Sequence, residues 1–450
     1  MMSNGVSGAW NGIASTLKVG LHSTVAKNAA SLYVIQFAQY ILPLITIPYL
    51  VRVLEPSGYG LVAFGQGFIA YFTIFADYGF ALSATRKISL EREDISAVSW
   101  TASNVWASKA LLGAAGFILL LLAVSLVPKL QESSTLLLIL YGAVIGSVLF
   151  PTWLFQGMER MVAISVINLI MQLFILVGVF TLVHRPEDYI VYAVIISAGS
   201  IFSGLAGTVI AFFMFKLKPV MPSKKGILVT MREGWVLFLS QASMSLYTVG
   251  NAFILGLLAN TTAAGYYSAA EKIVNAVLGL LGPVTQAAYP RFSIMAAESR
   301  DLALQWGQRM LLIIGGLGFI LSVAIFAGAP ILVNIVLGPE YEPSITVMRI
   351  LAGLCFLIAA SNVLGIQIMI PFGKDKAFTI ILFGAGILNL TLAILLAPIW
   401  QESGTAVAVL FSEAFVTGAM FVYLSICRID LLTWPTIIGI YEAIGKQGKS

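Results

Sequence analysis

The sequence predicts an all-α polytopic membrane protein, with about twelve transmembrane helices in two six-helix bundles. Three observations predict it. The chain has 450 residues, of which 59% are hydrophobic and only 10% charged, whereas soluble domains carry roughly 25% charged residues. Apolar runs long enough to cross a bilayer, about 20 residues as helix, recur along the whole chain between short polar breaks. The basic residues gather in every second break, as the positive-inside rule requires of a chain that threads the membrane repeatedly.

In order along the chain, residues 1–27 hold Gly, Ser and Asn with Lys18 and Lys27, but no continuous apolar stretch. They read as a cytoplasmic segment and not as a cleaved signal peptide. The expected spans are 28–50, 59–84, 98–127, 135–155, 162–183, 189–215, 232–258, 265–289, 308–337, 345–371, 377–397 and 403–426. The ninth contains Gly328, Ala329 and Pro330, where proline removes a backbone donor and bends or breaks a helix. The longest and most basic loop, FKLKPVMPSKKGILVTMREG (215–234), divides six spans from six. The expected organisation is therefore a first bundle at 28–215, a linker at 216–231, a second bundle at 232–426 and a cytoplasmic tail at 427–450.

Of the 25 Lys and Arg residues, nineteen fall on the side that holds both termini; only Arg52, Lys129 and Arg185 fall on the other, and Lys109, Lys272 and Arg349 fall within spans. This places both termini in the cytoplasm. Trp100, Trp235 and Trp306 start spans on the basic side and Trp400 lies on the other, as an interfacial aromatic belt predicts. The net charge of +5 is thus explained by topology, and no nucleic-acid partner is expected.

An even number of spans per half makes the halves parallel repeats. A shift of 205 residues carries Gln36, Gln39, Pro43 and Thr46, one face of span one, onto Gln241, Met244, Thr248 and Asn251, one face of span seven. It also carries Gly60 onto Gly265, Gln66 onto Glu271 and Arg86 onto Arg291. Ser268, Glu271, Lys272 and Asn275 make a polar stripe on span eight, matched by Gln66, Thr73 and Asp77 on span two. Such stripes are expected to face each other across the repeat axis, since lipid leaves polar groups unpaired.

Further charges sit at depth: Lys109 in span three, Arg349 near the outer end of span ten, Glu413 in span twelve, and Arg52 at the outer end of span one. A charge at the bilayer centre costs about 2.5–3.5 kcal/mol on insertion scales, so several together imply pairing or a wet cavity. Arg52, Lys109, Lys272 and Arg349 are candidates to bind an anionic headgroup, and Asp77, Glu271 and Glu413 to couple an ion or proton. The alternatives stay open: Glu271 and Lys272 reach an interface, Lys109 and Glu413 are buried structural partners, Arg52 and Arg349 hold lipid phosphates, and Asp77 offsets Arg86. Pro43, Pro48, Pro283 and Pro290 are static kinks or hinges.

His22 and His184 lie in loops, and Cys355 and Cys427 lie in or beside apolar runs; they build no disulfide or metal framework. The chain contains no HExxH, GxSxG, P-loop or CxxC, and its loops leave no room for a catalytic domain. Transport without covalent chemistry and without a cofactor is expected, not an enzyme.

Two stretches then become informative. LPLITIPYLVRVLEPSGYGLVAFGQGFIAYFTIFADYGFALSATRKIS (42–89) and ILGLLANTTAAGYYSAAEKIVNAVLGLLGPVTQAAYPRFS (254–293) resemble signature segments of the polysaccharide biosynthesis, or O-antigen flippase, family. VLGPEYEPSITVMRIL (336–351) is similar to that family's segment before span ten. The family belongs to the multidrug, oligosaccharidyl-lipid and polysaccharide exporters. The resemblance implies two bundles around a central cavity, and flipping of an undecaprenyl-pyrophosphate-linked oligosaccharide across a bacterial cytoplasmic (inner) membrane. It implies a cationic cavity to which Arg52, Lys272 and Arg349 contribute, and partners among glycan polymerases and other polysaccharide-assembly proteins. The rival reading is a cation-coupled multidrug exporter of the same superfamily.

Overall fold

In the computed structural model the described residues are 24–279, 300–427 and 429, and among them no strand occurs. Lys18, His22, Pro283, Pro290, Arg291, Arg428, Lys446 and Lys449 lie outside them, as do the side chains of Lys27, Gln36, Gln39, Met244 and Arg300.

The first helix, α1 (Thr24–Asp77), has 54 residues. At 1.5 Å per residue it would reach about 80 Å, far beyond the roughly 30 Å hydrocarbon core, so it must reverse. It does so at Glu55, whose φ of 57° and ψ of 170° are not helical, directly before Pro56. Proline has no N–H to continue the ladder and pushes the preceding residue out of the α region. α2 (Phe80–Glu91) follows a left-handed pair, Tyr78 and Gly79. Next come α3 (Ile95–Leu126), the short α4 (Pro128–Glu132), and α5 (Ser134–Leu140), α6 (Gly142–Leu149) and α7 (Thr152–Gly157), which together make span four. α8 (Met161–Leu182) and α9 (Tyr189–Phe215) complete the first bundle.

In the second, α10 (Lys224–Thr248) and α11 (Asn251–Leu258) form span seven, and α12 (Thr261–Gly279) forms the described part of span eight. α13 (Arg300–Leu332) continues through Pro330 and relaxes into a π-turn, Val333–Leu337, three residues beyond it. α14 (Pro343–Asn362) likewise ends in a π-turn, Val363–Met369. α15 (Asp375–Ile426) is 52 residues long and reverses at Gln401 (φ 48°, ψ −127°). A Cβ on Gly404 would lie 2.4 Å from the Leu396 carbonyl, whereas eight residues of straight helix span about 12 Å. The chain therefore doubles back, and α15 supplies two passes. Among the described residues the helices follow the expected twelve-span architecture in two bundles.

Alternate turns gather at one end of the molecule. The Tyr49 hydroxyl donates to the Val183 carbonyl, Asn260 Nδ2 donates to Gln401 Oε1, and the Ser344 hydroxyl donates to the Tyr266 carbonyl. At the opposite end Arg92 pairs with Glu159 at 2.6 Å and Lys87 with Glu233 at 3.8 Å. There Tyr78 also stacks on Phe238, with centroids 4.8 Å apart.

The bundles meet where α1 crosses α12. A Cβ on Gly60 would fall 1.8 Å from the Thr261 carbonyl oxygen and 2.6 Å from the Gly265 nitrogen, and one on Gly265 would fall 2.0 Å from the Pro56 carbonyl oxygen. The two glycines related by the 205-residue shift thus touch each other, which puts the repeat axis through their contact. Small residues are the usual means of bringing membrane helices this close, because van der Waals packing must do what the hydrophobic effect does in water.

Within the first bundle an ion pair between a buried lysine and a partly exposed aspartate ties span two to spans three and four. Lys109 Nζ lies 2.8 Å from Asp77 Oδ1 and 2.6 Å from the Ser147 carbonyl, and the Ser147 hydroxyl donates to the same carboxylate at 2.9 Å. Lys109 is 3% exposed. Asp77 therefore offsets Lys109 and not Arg86.

Gly60→Ala or Gly265→Ala forces backbone apart at the crossing and lowers the melting temperature in detergent, as overpacking of about 1–3 kcal/mol does. Gly316→Ala, where an added methyl meets nothing within 4 Å, leaves it unchanged. In a double-mutant cycle, Lys109→Met and Asp77→Asn together cost less than their summed single effects. The coupling read from unfolding in detergent is about 0.5–3 kcal/mol, the range for residues in contact.

Candidate functional site

Glu271 and Lys272 are neighbours in sequence, and on α12 they point about 100° apart, since a helix makes 3.6 residues per turn. This small fact separates their environments. Lys272 turns out of its own bundle, toward the seam, where its Nζ lies 5.1 Å from the ring centroid of Tyr59 on α1. Tyr59 and Tyr192, both from the first bundle, are buried. Ammonium over an aromatic face is attracted by the ring quadrupole, the more so when desolvated. Lys272 is thus a buried-seam cation held by the opposite bundle.

Glu271 turns inward. It accepts a hydrogen bond of 2.8 Å from the Tyr267 hydroxyl and lines a cavity of about 330 Å³ inside the second bundle. Glu413, from the last pass, lines the same cavity and accepts a 2.6 Å bond from the Ser361 hydroxyl. Thr248, Asn251, Asn275, Ser361 and Asn362 supply polar groups around them, while the lining holds no Lys or Arg. Each carboxylate has a hydroxyl donor, and the amides offer oxygens as acceptors. The chamber suits a proton or a small cation and repels an anion. Among the described residues no group of three or more His, Cys, Asp or Glu could hold a metal ion.

The other candidates lie apart. Arg52 is exposed and donates to the Ile335 carbonyl of the π-turn that ends α13. Arg349 is exposed and lies over the Phe326 ring, 5.7 Å from its centroid, and Phe326 is itself exposed on the apolar outer surface. Lys109 is occupied by Asp77. The expectation that four cations converge on one vestibule is therefore not met in this structure. The reason is local: each cation found a nearer partner on a neighbouring helix, whether carboxylate, carbonyl or ring. The polar stripe of α12 divides too, with Lys272 at the seam and Glu271 and Asn275 in the chamber. Of the acidic candidates, Glu271 and Glu413 are brought together, and Asp77 is not among them.

Sequence reasoning missed the tyrosines that frame the charges, Tyr59, Tyr192 and Tyr267, because aromatic residues in an apolar span give no polar signal. It also passed over Lys129, which bridges the two bundles. Its rarity, as one of three basic residues on the sparse side, was the available clue.

The geometry can be set beside known proteins. The family described as "Polysaccharide biosynthesis protein" matches residues 25–296. A "Putative O-antigen transporter" of Escherichia coli (strain K12) is 32% identical over 403 residues, covering 89% of this chain and 96% of the relative. One of the same description from Shigella dysenteriae is 29% identical over 399 residues, covering 87% and 97%. Among solved structures, the lipid II flippase MurJ in an inward closed conformation superposes with a TM-score of 0.71 at 14% identity, covering 88% of this chain and 87% of that one. An inward-facing multidrug resistance MATE family transporter gives 0.62 at 14% identity, covering 87% and 98%. At such identities the two structures establish the fold alone. The match over more than half of the chain, together with full-length relatives, settles the lineage: this multi-pass membrane protein belongs to the polysaccharide biosynthesis protein family.

Proposed function

We propose that the protein is a flippase that carries a lipid-linked oligosaccharide, an undecaprenyl-pyrophosphate-linked repeat unit of O-antigen or a similar surface polysaccharide, across the bacterial cytoplasmic membrane. The observation that carries this reading is the 32% identity, over nearly the whole of both chains, to the relative described as a "Putative O-antigen transporter". The fold supports it, since two parallel-repeat bundles meeting at a narrow seam can open alternately to either side.

Lys272 is the cation best placed to meet a pyrophosphate, because separation of the bundles at the seam would free its ammonium from Tyr59. The polyprenyl tail stays in hydrocarbon while the head passes between the bundles. Glu271 and Glu413 take up the coupling proton or cation inside the second bundle. Lys109 and Asp77 serve the first bundle as a structural pair, and Arg349 sits where a lipid phosphate can reach it. No covalent step is involved. The basic end, with Lys87, Arg92, Lys218 and Lys224, faces the cytoplasm along with both termini, and glycan polymerases are the natural partners downstream.

The rival, a cation-coupled multidrug exporter, is favoured by one observation, the acidic chamber of Glu271 and Glu413. Deletion separates the two: surface glycan is lost and drug susceptibility is unchanged if the protein is a flippase, and the reverse holds for an exporter. In the complemented strain, Lys272→Ala lowers surface glycan about tenfold or more at normal protein level, as expected for loss of a hydrogen bond to a charged group. Glu413→Gln lowers it while leaving membrane insertion intact. Full glycan in Lys272→Ala removes that residue from the headgroup's path.

A further inference from the structure

At the end of the molecule where Gly60 meets Gly265, two cations of the first bundle reach across to the second. Lys129, on α4, places its Nζ 3.1 Å from the Leu257 carbonyl and 3.0 Å from the Ala259 carbonyl. These oxygens end α11, beyond which Asn260 caps α12 by accepting from the Ala263 N–H at 2.7 Å. Arg52, on α1, donates to the Ile335 carbonyl in the π-turn that closes α13, and its stem runs beside Gly338. Neither cation is in an ion pair among the described residues.

The acceptors share one chemical character. The last carbonyls of a helix have no intrahelical donor, and they carry the negative end of its dipole. Here two such ends, both from the second bundle, are each satisfied by a cation from the first. Pulling the bundles apart at this end would strand two cations and at least three carbonyl oxygens at once, beside the place where the glycines hold backbone against backbone. The opposite end is joined differently, by a stack of Tyr78 on Phe238, the wide Lys87–Glu233 pair and a hydrogen bond from the Ser223 N–H to Asn104 Oδ1, none of which sets a cation on a helix C-terminus.

We propose that Lys129 and Arg52 are a paired latch, two cationic side chains that cap helix C-termini across the seam and hold the Gly60 end shut. This assigns Arg52 a gating role in place of headgroup binding, and gives Lys129 a role where the sequence suggested only a loop charge. The latch rests on the two-bundle fold and is independent of what is carried. Because both grips are on one end, breaking them biases the protein toward the state open at that end, and ordering them again is part of closure.

The test is the rate at which a membrane-impermeant maleimide reaches Ser268→Cys in the full-length protein in intact cells, with Cys355 and Cys427 replaced by serine. Ser268 is 4% exposed. It lies on the helical face shared by Gly265 and Lys272, so it becomes reachable only when the seam parts. Ser57→Cys, exposed at the same end, reports which side of the membrane that end faces. Lys129→Gln and Arg52→Gln each raise the Ser268→Cys rate about threefold, and the double variant about tenfold, in line with a cation at a helix C-terminus. Lys129→Arg keeps the original rate, and so does Lys374→Gln at the opposite end. An unchanged rate in the double variant overturns the latch. An equal rise with Lys374→Gln overturns it as well, since that result means general loosening.

Discussion

Because Gly60 and Gly265 have no side chains, α1 and α12 can touch backbone to backbone, and nearly everything else about the molecule is arranged around that contact. It fixes how closely the bundles approach at one end. It sets the depth at which Lys272 meets Tyr59, and it brings Lys129 and Arg52 within reach of the far helix ends. It also sits where a repeat of 205 residues places two equivalent positions together. An axis of approximate symmetry through a contact of two glycines gives a close joint free of side chains at the crossing itself, beside which Phe253 of the second bundle stacks on Phe68 of the first with centroids 4.6 Å apart.

The hydrocarbon around the protein explains how the charges are disposed. A lone ammonium or carboxylate at depth is costly, and each one described has a specific answer: Lys109 a carboxylate and a carbonyl, Lys272 aromatic rings, Glu271 and Glu413 hydroxyl donors. The adjacent Glu271 and Lys272 look like a neutral pair in sequence. On the helix they diverge, so that one helix delivers a negative charge to a chamber in its own bundle and a positive charge to the seam. Both charges thus sit on one rigid element and respond to the same movement.

Much of the fold was legible in the sequence. Span number follows from hydropathy, a constraint every residue helps to satisfy, while the expected division at 215–234 and the cytoplasmic side rest on where Lys and Arg can reside. The loop-free reversals at Glu55 and Gln401 were legible only as short gaps between spans, since nothing in their residue types demands left-handed backbone. The site was less readable. Glu271 and Glu413 were singled out by depth alone, whereas their sharing of one cavity depends on how α12, α14 and α15 are rotated about their axes. Lys109 and Asp77 were assigned different tasks although they bind each other, because a separation of 32 positions in sequence hides a contact set by helix packing. Arg349, read as a headgroup ligand, faces the apolar surface over Phe326, since its helix turns that face outward.

The two bundles are expected to part at the Gly60–Gly265 seam when cargo is handled. The most direct measurement is the distance between spin labels at Ser57 and Thr262, on either side of the crossing, in proteoliposomes with and without polyprenyl-linked glycan extracted from the producing cells. Empty vesicles should give a short, narrow distance, and a second, longer population should appear when the glycan-lipid is present. A single distance, unaltered by the glycan-lipid, would contradict such parting.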